Sequence, residues 1–202
     1  MKQAKYLLVI DLEATCSEDG AVPRQEMEII EIGAVMLAVA DLALVSDPLS
    51  IDSISDEFQT FVKPVRHSQL SQFCKTLTSI QQVDVDQAPL YQDAIKAMSL
   101  WIDSFAPIEE ILFCSWGAYD KNQFQQDCIW NGVTYPFADT HCNIKKLYSK
   151  MPGQKKPKGL GKVIKELGWE FAGSHHRGID DARNIARVVG WLTKNGVIVQ
   201  PD

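Results

Sequence analysis

Asp11 and Glu13 stand two residues apart at the end of an apolar run, Tyr6-Leu7-Leu8-Val9-Ile10. Side chains alternate along a strand, so positions i and i+2 project from one face. Two carboxylates side by side in apolar surroundings repel each other unless a cation lies between them. The pair therefore offers ligands for a divalent metal, although an Asp capping a turn beside a solvated Glu would leave the same spelling. Asp120 follows a second buried run, Ile111 to Trp116, and opens the next helix. Open α/β sheets place their sites at such strand ends, and an acid there also serves as a helix cap. A third segment, His175-His176-Arg177-Gly178-Ile179-Asp180-Asp181, enters a last helix. It sets a base and a ligand on adjoining turns, or a surface imidazole beside a capping acid. Each segment alone is weak, and the ordered set of three is far more specific.

The elements that must position these groups follow from apolar periodicity. Tyr6 to Ile10 reads as a strand buried on both faces, hence central in a sheet. Ile29 to Val39 and Phe58 to Val62 read as two further strands. The segment between them, roughly 40–57, reads as a long, exposed and mobile hairpin connection. Leu77-Thr78-Ser79-Ile80 falls in a turn-rich stretch. After Pro89, the spacing of Ala94, Ile95, Met98, Trp101, Ile102 and Phe105 predicts a helix. Ile111 to Trp116 is a short buried strand. A helix from about Tyr119 to Trp130 should follow, with Phe124, Cys128 and Ile129 inward. Lys145 to Met151 and Gly161 to Leu167 predict short helices flanking a loop from Pro152 to Gly159. A last helix runs from near Asp180 to Lys194, ended by Gly196. Strands followed by alternating helices and a strand give an α/β chain with a mixed sheet, and 1–202 reads as a single domain.

Composition excludes several classes. Hydrophobic residues make up 46% and charged residues 23% of the 202, the balance of a soluble globular protein and not of a disordered one. No window of about 20 apolar residues spans a membrane. Acids break the N-terminal apolar run and no small-residue cleavage site follows, so no signal peptide is expected. Five scattered cysteines without a CxxC pair argue against zinc and a disulfide framework, and for free thiols in a reducing cytoplasm. The net charge of −6 argues against a general polyanion binder. The charge is uneven, however: eight lysines and no acid lie between Lys145 and Lys165. That stripe is either a local phosphate track or a solvated, lysine-rich loop.

Val9-Ile10-Asp11-Leu12-Glu13-Ala14-Thr15, Trp116-Gly117-Ala118-Tyr119-Asp120 and His176-Arg177-Gly178-Ile179-Asp180-Asp181-Ala182 together resemble the DEDDh 3′-to-5′ exonucleases, the DnaQ-like branch of the ribonuclease H-like fold. The resemblance covers the chain from about Lys5 to Leu192. Phe58 to Pro64, Gln69 to Cys74 and Asp181 to Arg187 further resemble the Eri / histone-mRNA 3′-exonuclease subfamily, which acts mainly on RNA. This resemblance implies a ribonuclease H-like mixed five-stranded sheet flanked by helices. It implies a metal-dependent enzyme that removes nucleoside 5′-monophosphates from the 3′ ends of single-stranded RNA or DNA. DNA proofreading or repair, or a catalytically silent nucleic-acid-binding module on the same fold, are the alternatives. Asp11, Glu13, Asp120 and Asp181 would hold two Mg²⁺ or Mn²⁺ ions, with His176 as general base. The family's His-x4-Asp spacing selects His176 with Asp181, leaving His175 and Asp180 in supporting positions at most. Ala14, Thr15, Leu77, Thr78 and Trp116 would receive the terminal nucleoside. Ser79 stands where the family usually has Gly, and no stretch of the sequence matches the subfamily's accessory nucleic-acid-binding domain.

Overall fold

The computed structural model describes residues 4–42, 54–154 and 156–202. Its framework is one mixed sheet of five strands. These are β1 (Tyr6–Ala14), β2 (Ile29–Ala38), β3 (Ile54–Phe61), β4 (Ile111–Ser115) and β5 (His141–Asn143), in the order β3-β2-β1-β4-β5. The β1–β2 and β2–β3 pairs are antiparallel, whereas β1–β4 and β4–β5 are parallel. β1 is thus the central strand, as its unbroken apolar run requires. It continues past Ile10 to Ala14, because ladder hydrogen bonds use the backbone and tolerate acidic side chains. Asp11 pairs with Gly33 of β2 and Glu13 with Glu31.

The pleat sorts the strands into two cores. Leu7 and Val9 of β1 and Val35 and Leu37 of β2 face α6 (Ile144–Ser149), α7 (Leu160–Glu166) and α8 (Gly178–Lys194), whose Val163, Ala182, Ile185 and Val189 complete that layer. Leu8, Ile10, Ile32, Ala34 and Met36 face the other way. They pack on α4 (Tyr91–Asp103) through Ala94, Ile95, Met98 and Ile102, and on α5 (Tyr119–Asn131) through Phe124 and Cys128. Burying each such aliphatic side chain contributes about 1.5–3 kcal/mol. A smaller cluster of Ile30, Leu70, Cys74, Ile80 and Val85 seats α2 (Gln72–Thr78) and α3 (Gln82–Asp86) over one end of the sheet.

Three expectations change. Leu77 and Thr78 belong to the last turn of α2, which Ser71 caps by accepting a 2.9 Å bond from the Cys74 amide. The turn is confined to Ser79, whose φ of 62° closes the helix in the left-handed conformation. Ile129 is 81% exposed, because α5 turns Phe124 and Cys128 inward and carries Ile129 past the buried arc. Of the segment 40–57, residues 40–42 lie within the short helix α1 (Val39–Leu42) and 54–57 begin β3; the rest, 43–53, lies outside the described residues. The fifth strand, implied only by resemblance, is three residues long, too short for any periodic signal. Among the described residues no helix is long and apolar enough to cross a membrane.

Candidate active site

On the α8 side of the sheet, the β1 positions that follow Leu7 and Val9 are Asp11 and Glu13, so one face passes from core to chemistry within a single strand. Asp181 reaches them from the first turn of α8. One carboxylate oxygen from each of Asp11, Glu13 and Asp181 lies within 4.8 Å of the other two. This approach depends on two glycines. A Cβ on Gly33 would come within 2.1 Å of the Gly178 backbone, and one on Gly178 within 2.9 Å of the Asp11 carbonyl oxygen. The start of α8 therefore lies directly on the backbone of β1 and β2.

Asp120 joins from the opposite layer, in the first turn of α5 at the carboxyl end of β4. Its Oδ1 accepts a 3.1 Å bond from the Leu12 amide. Nearby, the Ser115 hydroxyl donates to the Gly117 carbonyl oxygen at 3.0 Å and lies 2.9 Å from His141 Nε2, tying the end of β4 to β5. His176 precedes α8 with φ at 66°, and its amide donates a 2.7 Å bond to Asp181 Oδ2. Non-glycine residues held at positive φ concentrate at functional sites. His175 faces the same cleft: its ring centre lies 4.0 Å from that of His176, and its Nε2 is 3.5 Å from Asp181 Oδ1. Asp180 alone turns away, accepting from the Ser174 amide and Arg183 Nη1. His175 thus stands beside a proposed ligand on the cleft wall, while Asp180 keeps the supporting position expected of it.

The carboxylates crowd one another. Burial pushes Glu13 up to about 9 and Asp181 up to about 7, with neighbouring acids adding to both shifts. Asp11 is raised well above the usual carboxylate range by burial and then by Asp120, Asp181 and Glu13. Asp120 rises to about 6 through burial, against its hydrogen bonds. Burial and the neighbouring His175 lower His176, favouring a neutral imidazole. A cluster of carboxylate oxygens with unrelieved mutual repulsion is the donor set of a hard divalent cation.

These groups line a cleft of about 460 Å³, together with Ala14, Leu77 and Trp116 as expected. Trp116 serves both core and cleft: it packs against the α8-side core while its indole Nε1 donates to the Lys158 carbonyl oxygen at 3.1 Å. Thr15 and Thr78 do not line the cleft. Both are buried, Thr15 accepting from the Glu28 amide and Thr78 donating to the Cys74 carbonyl oxygen, so each ties backbone together. Sequence reasoning missed Cys16 and Tyr119 on the cleft wall, which His175 and Lys162 also line. It also missed Glu31, a fully buried acid whose signal was legible as a lone charge in the apolar run Ile29-Ile30-Glu31-Ile32. Of the lysine stripe, Lys162 faces the cleft, whereas Lys158 pairs with Glu166 at 2.6 Å and Lys146 with Asp202 at 3.4 Å.

Comparison with known proteins gives a consistent picture. The family described as Exonuclease (RNase_T) matches residues 8–189. The chain is 33% identical to 3′-5′ exoribonuclease 1 of Rattus norvegicus, over 95% of this chain and 54% of that protein. It is 30% identical to ERI1 exoribonuclease 2 of Homo sapiens, over 96% of this chain and 29% of that protein. The chain thus spans about half or less of the length of these two relatives. A solved structure of the nuclease domain of 3′hExo, described as a DEDDh family member bound to rAMP, superposes with a TM-score of 0.82 at 30% identity, covering 98% of this chain and 96% of that one.

Proposed function

Because the chain belongs to the exonuclease family RNase_T, we propose that it removes nucleoside 5′-monophosphates stepwise from the 3′ ends of single-stranded RNA. The observation that carries this reading is the meeting of Asp11, Glu13 and Asp181 within 4.8 Å in a cleft that Asp120 and His176 also line. The preference for RNA rests on the relatives named exoribonucleases. The five free thiols support a reducing, cytoplasmic setting, and the single sheet drawn from residues 6–143 supports reading 1–202 as one exonuclease domain.

Asp11, Glu13, Asp120 and Asp181 would hold two divalent cations, Mg²⁺ or Mn²⁺. When bound, such ions neutralise the phosphodiester and acidify the attacking water. The chain's own residues supply the rest. His176, neutral near physiological pH and facing the acids, takes the proton of the attacking water. The new bond forms between the water oxygen and phosphorus, the bond from phosphorus to the 3′-oxygen breaks, and that oxygen is protonated as it leaves. Leu77, Ala14 and Trp116 give the terminal base an apolar wall that carries no sequence preference. Lys162 meets the phosphates entering from upstream.

The test uses matched, 5′-labelled single-stranded RNA and DNA oligomers in Mg²⁺ and in EDTA, with wild type and Asp11→Ala. A ladder shortening from the 3′ end only with wild type and Mg²⁺, faster on RNA, is expected. Faster cleavage of DNA would move the substrate to DNA. Intact oligomers under every condition would leave a nucleic-acid-binding module and end the enzymatic reading.

A further inference from the structure

β2 is apolar at Ile29, Ile30, Ile32, Ala34, Val35, Met36 and Leu37, and all of these are buried. Glu31 interrupts the run with 0% exposure. Burying an ionised carboxylate is costly unless donors surround it. Here it is surrounded. Oε2 accepts from Arg177 Nε at 3.1 Å and from the Gly178 amide at 3.0 Å, while Oε1 accepts from Arg177 Nη2 at 3.3 Å and Gln59 Nε2 at 2.6 Å. Three of the four bonds go to the corner at which α8 begins. The same corner is linked to the site on both sides. The Arg177 carbonyl oxygen accepts the Asp181 amide at 2.8 Å, and the His176 amide donates to the Asp181 carboxylate.

An apolar residue at this position would fill β2 without adding a charge beside Asp11 and Glu13, both of which feel Glu31 as a repulsive neighbour. What the carboxylate adds is orientation. The bidentate fork fixes Arg177 in one plane, and the bond to Gly178 fixes the direction in which α8 leaves the sheet. His176 and Asp181 flank those two residues.

We infer that Glu31 is a positioning residue of this site: through the Arg177–Gly178 corner it holds the His176 imidazole and the Asp181 carboxylate in register with Asp11 and Glu13. This assignment rests on the exonuclease reading for its kinetic consequence but not for its structural one. Glu31 touches no reacting atom; it acts on the site through the position of the corner it holds.

Glu31→Gln tests it. The amide keeps the shape but replaces one acceptor oxygen with a donor, so it cannot receive all four bonds. With protein kept folded at low temperature, turnover should fall about 10- to 100-fold with KM for the oligomer changed by no more than about twofold. Hydrogen exchange of the His176 amide should accelerate about 10-fold or more in the same variant. Glu57→Gln, which breaks the Glu57–Arg183 pair between β3 and α8 away from the corner, should leave both measurements at wild-type values. A folded Glu31→Gln protein with a lower Tm but wild-type turnover and His176 exchange would overturn the inference and leave Glu31 a stabilising residue only. If Glu31→Gln does not fold, Arg177→Lys removes the fork from its more exposed side, and the same split is expected of it; wild-type values would again overturn the inference. Should wild type leave every oligomer intact, the exonuclease reading fails, and the exchange measurement still decides whether Glu31 holds the corner.

Discussion

The carboxylates of Asp11, Glu13, Asp120 and Asp181 sit closer together than their charges favour, and this has a measurable sign. Glu13 and Asp181 hold protons more tightly in the folded protein than in the unfolded chain, whose carboxylates titrate near about 4. The folded state therefore carries excess protons between that range and about 9. Stability is complete below the window and is lost as pH rises through it. In EDTA, Tm should fall as pH is raised from about 5 to about 9. Mg²⁺ should restore it, by more at the higher pH, as thermal melts at several pH values will read; a flat profile in EDTA would contradict the crowding. By the same logic, Asp11→Asn should stabilise the EDTA-treated protein at pH 8 by on the order of 1 kcal/mol. It should also cost at least about 100-fold in hydrolysis. The acids were legible in the sequence because D-x-E, a strand-end Asp and H-x4-D occur in order. The parts of Glu31 and His175 were not, because a sequence shows that a charge or an imidazole is present but not which groups it meets.

The helices hold these side chains through a few backbone details. Gly33→Ala would drive a methyl group into the Gly178 backbone and lever α8 off the sheet. We expect a loss of about 1–3 kcal/mol in chemical denaturation, with activity falling even where the protein remains folded, since His176 and Asp181 move with the helix. Ser79 presents the opposite case. It closes α2 at φ 62° without being glycine, so Ser79→Gly should gain about 0.5–1 kcal/mol, measured as a higher Tm. A lower Tm would show that the hydroxyl matters more than the strain. Long elements with clean periodicity, such as β1, β2, α4 and α8, were readable from sequence. Thr78 was misplaced because its position in a helix end turns it to Cys74 and away from the cleft, and β5 was unreadable because three residues show no period.

The whole molecule is acidic, with a net charge of −6, and its one basic stripe is partly neutralised by Glu166 and Asp202. Attraction for a polyanion is therefore local. Using the Asp11→Ala protein to prevent cleavage, affinity for a single-stranded oligomer should fall with salt, and Lys162→Ala should reduce the log–log slope by about 0.7 for its one phosphate contact. An unchanged slope in a fluorescence anisotropy titration would remove Lys162 from the path. The ligand set also spans the chain from Asp11 to Asp181, and α8 closes it by lying on a sheet laid down far earlier in the sequence. A polypeptide still being translated has its first two acids long before it has His176 or the final ligand. On the exonuclease reading, hydrolysis therefore waits until the last helix has left the ribosome and docked on the sheet.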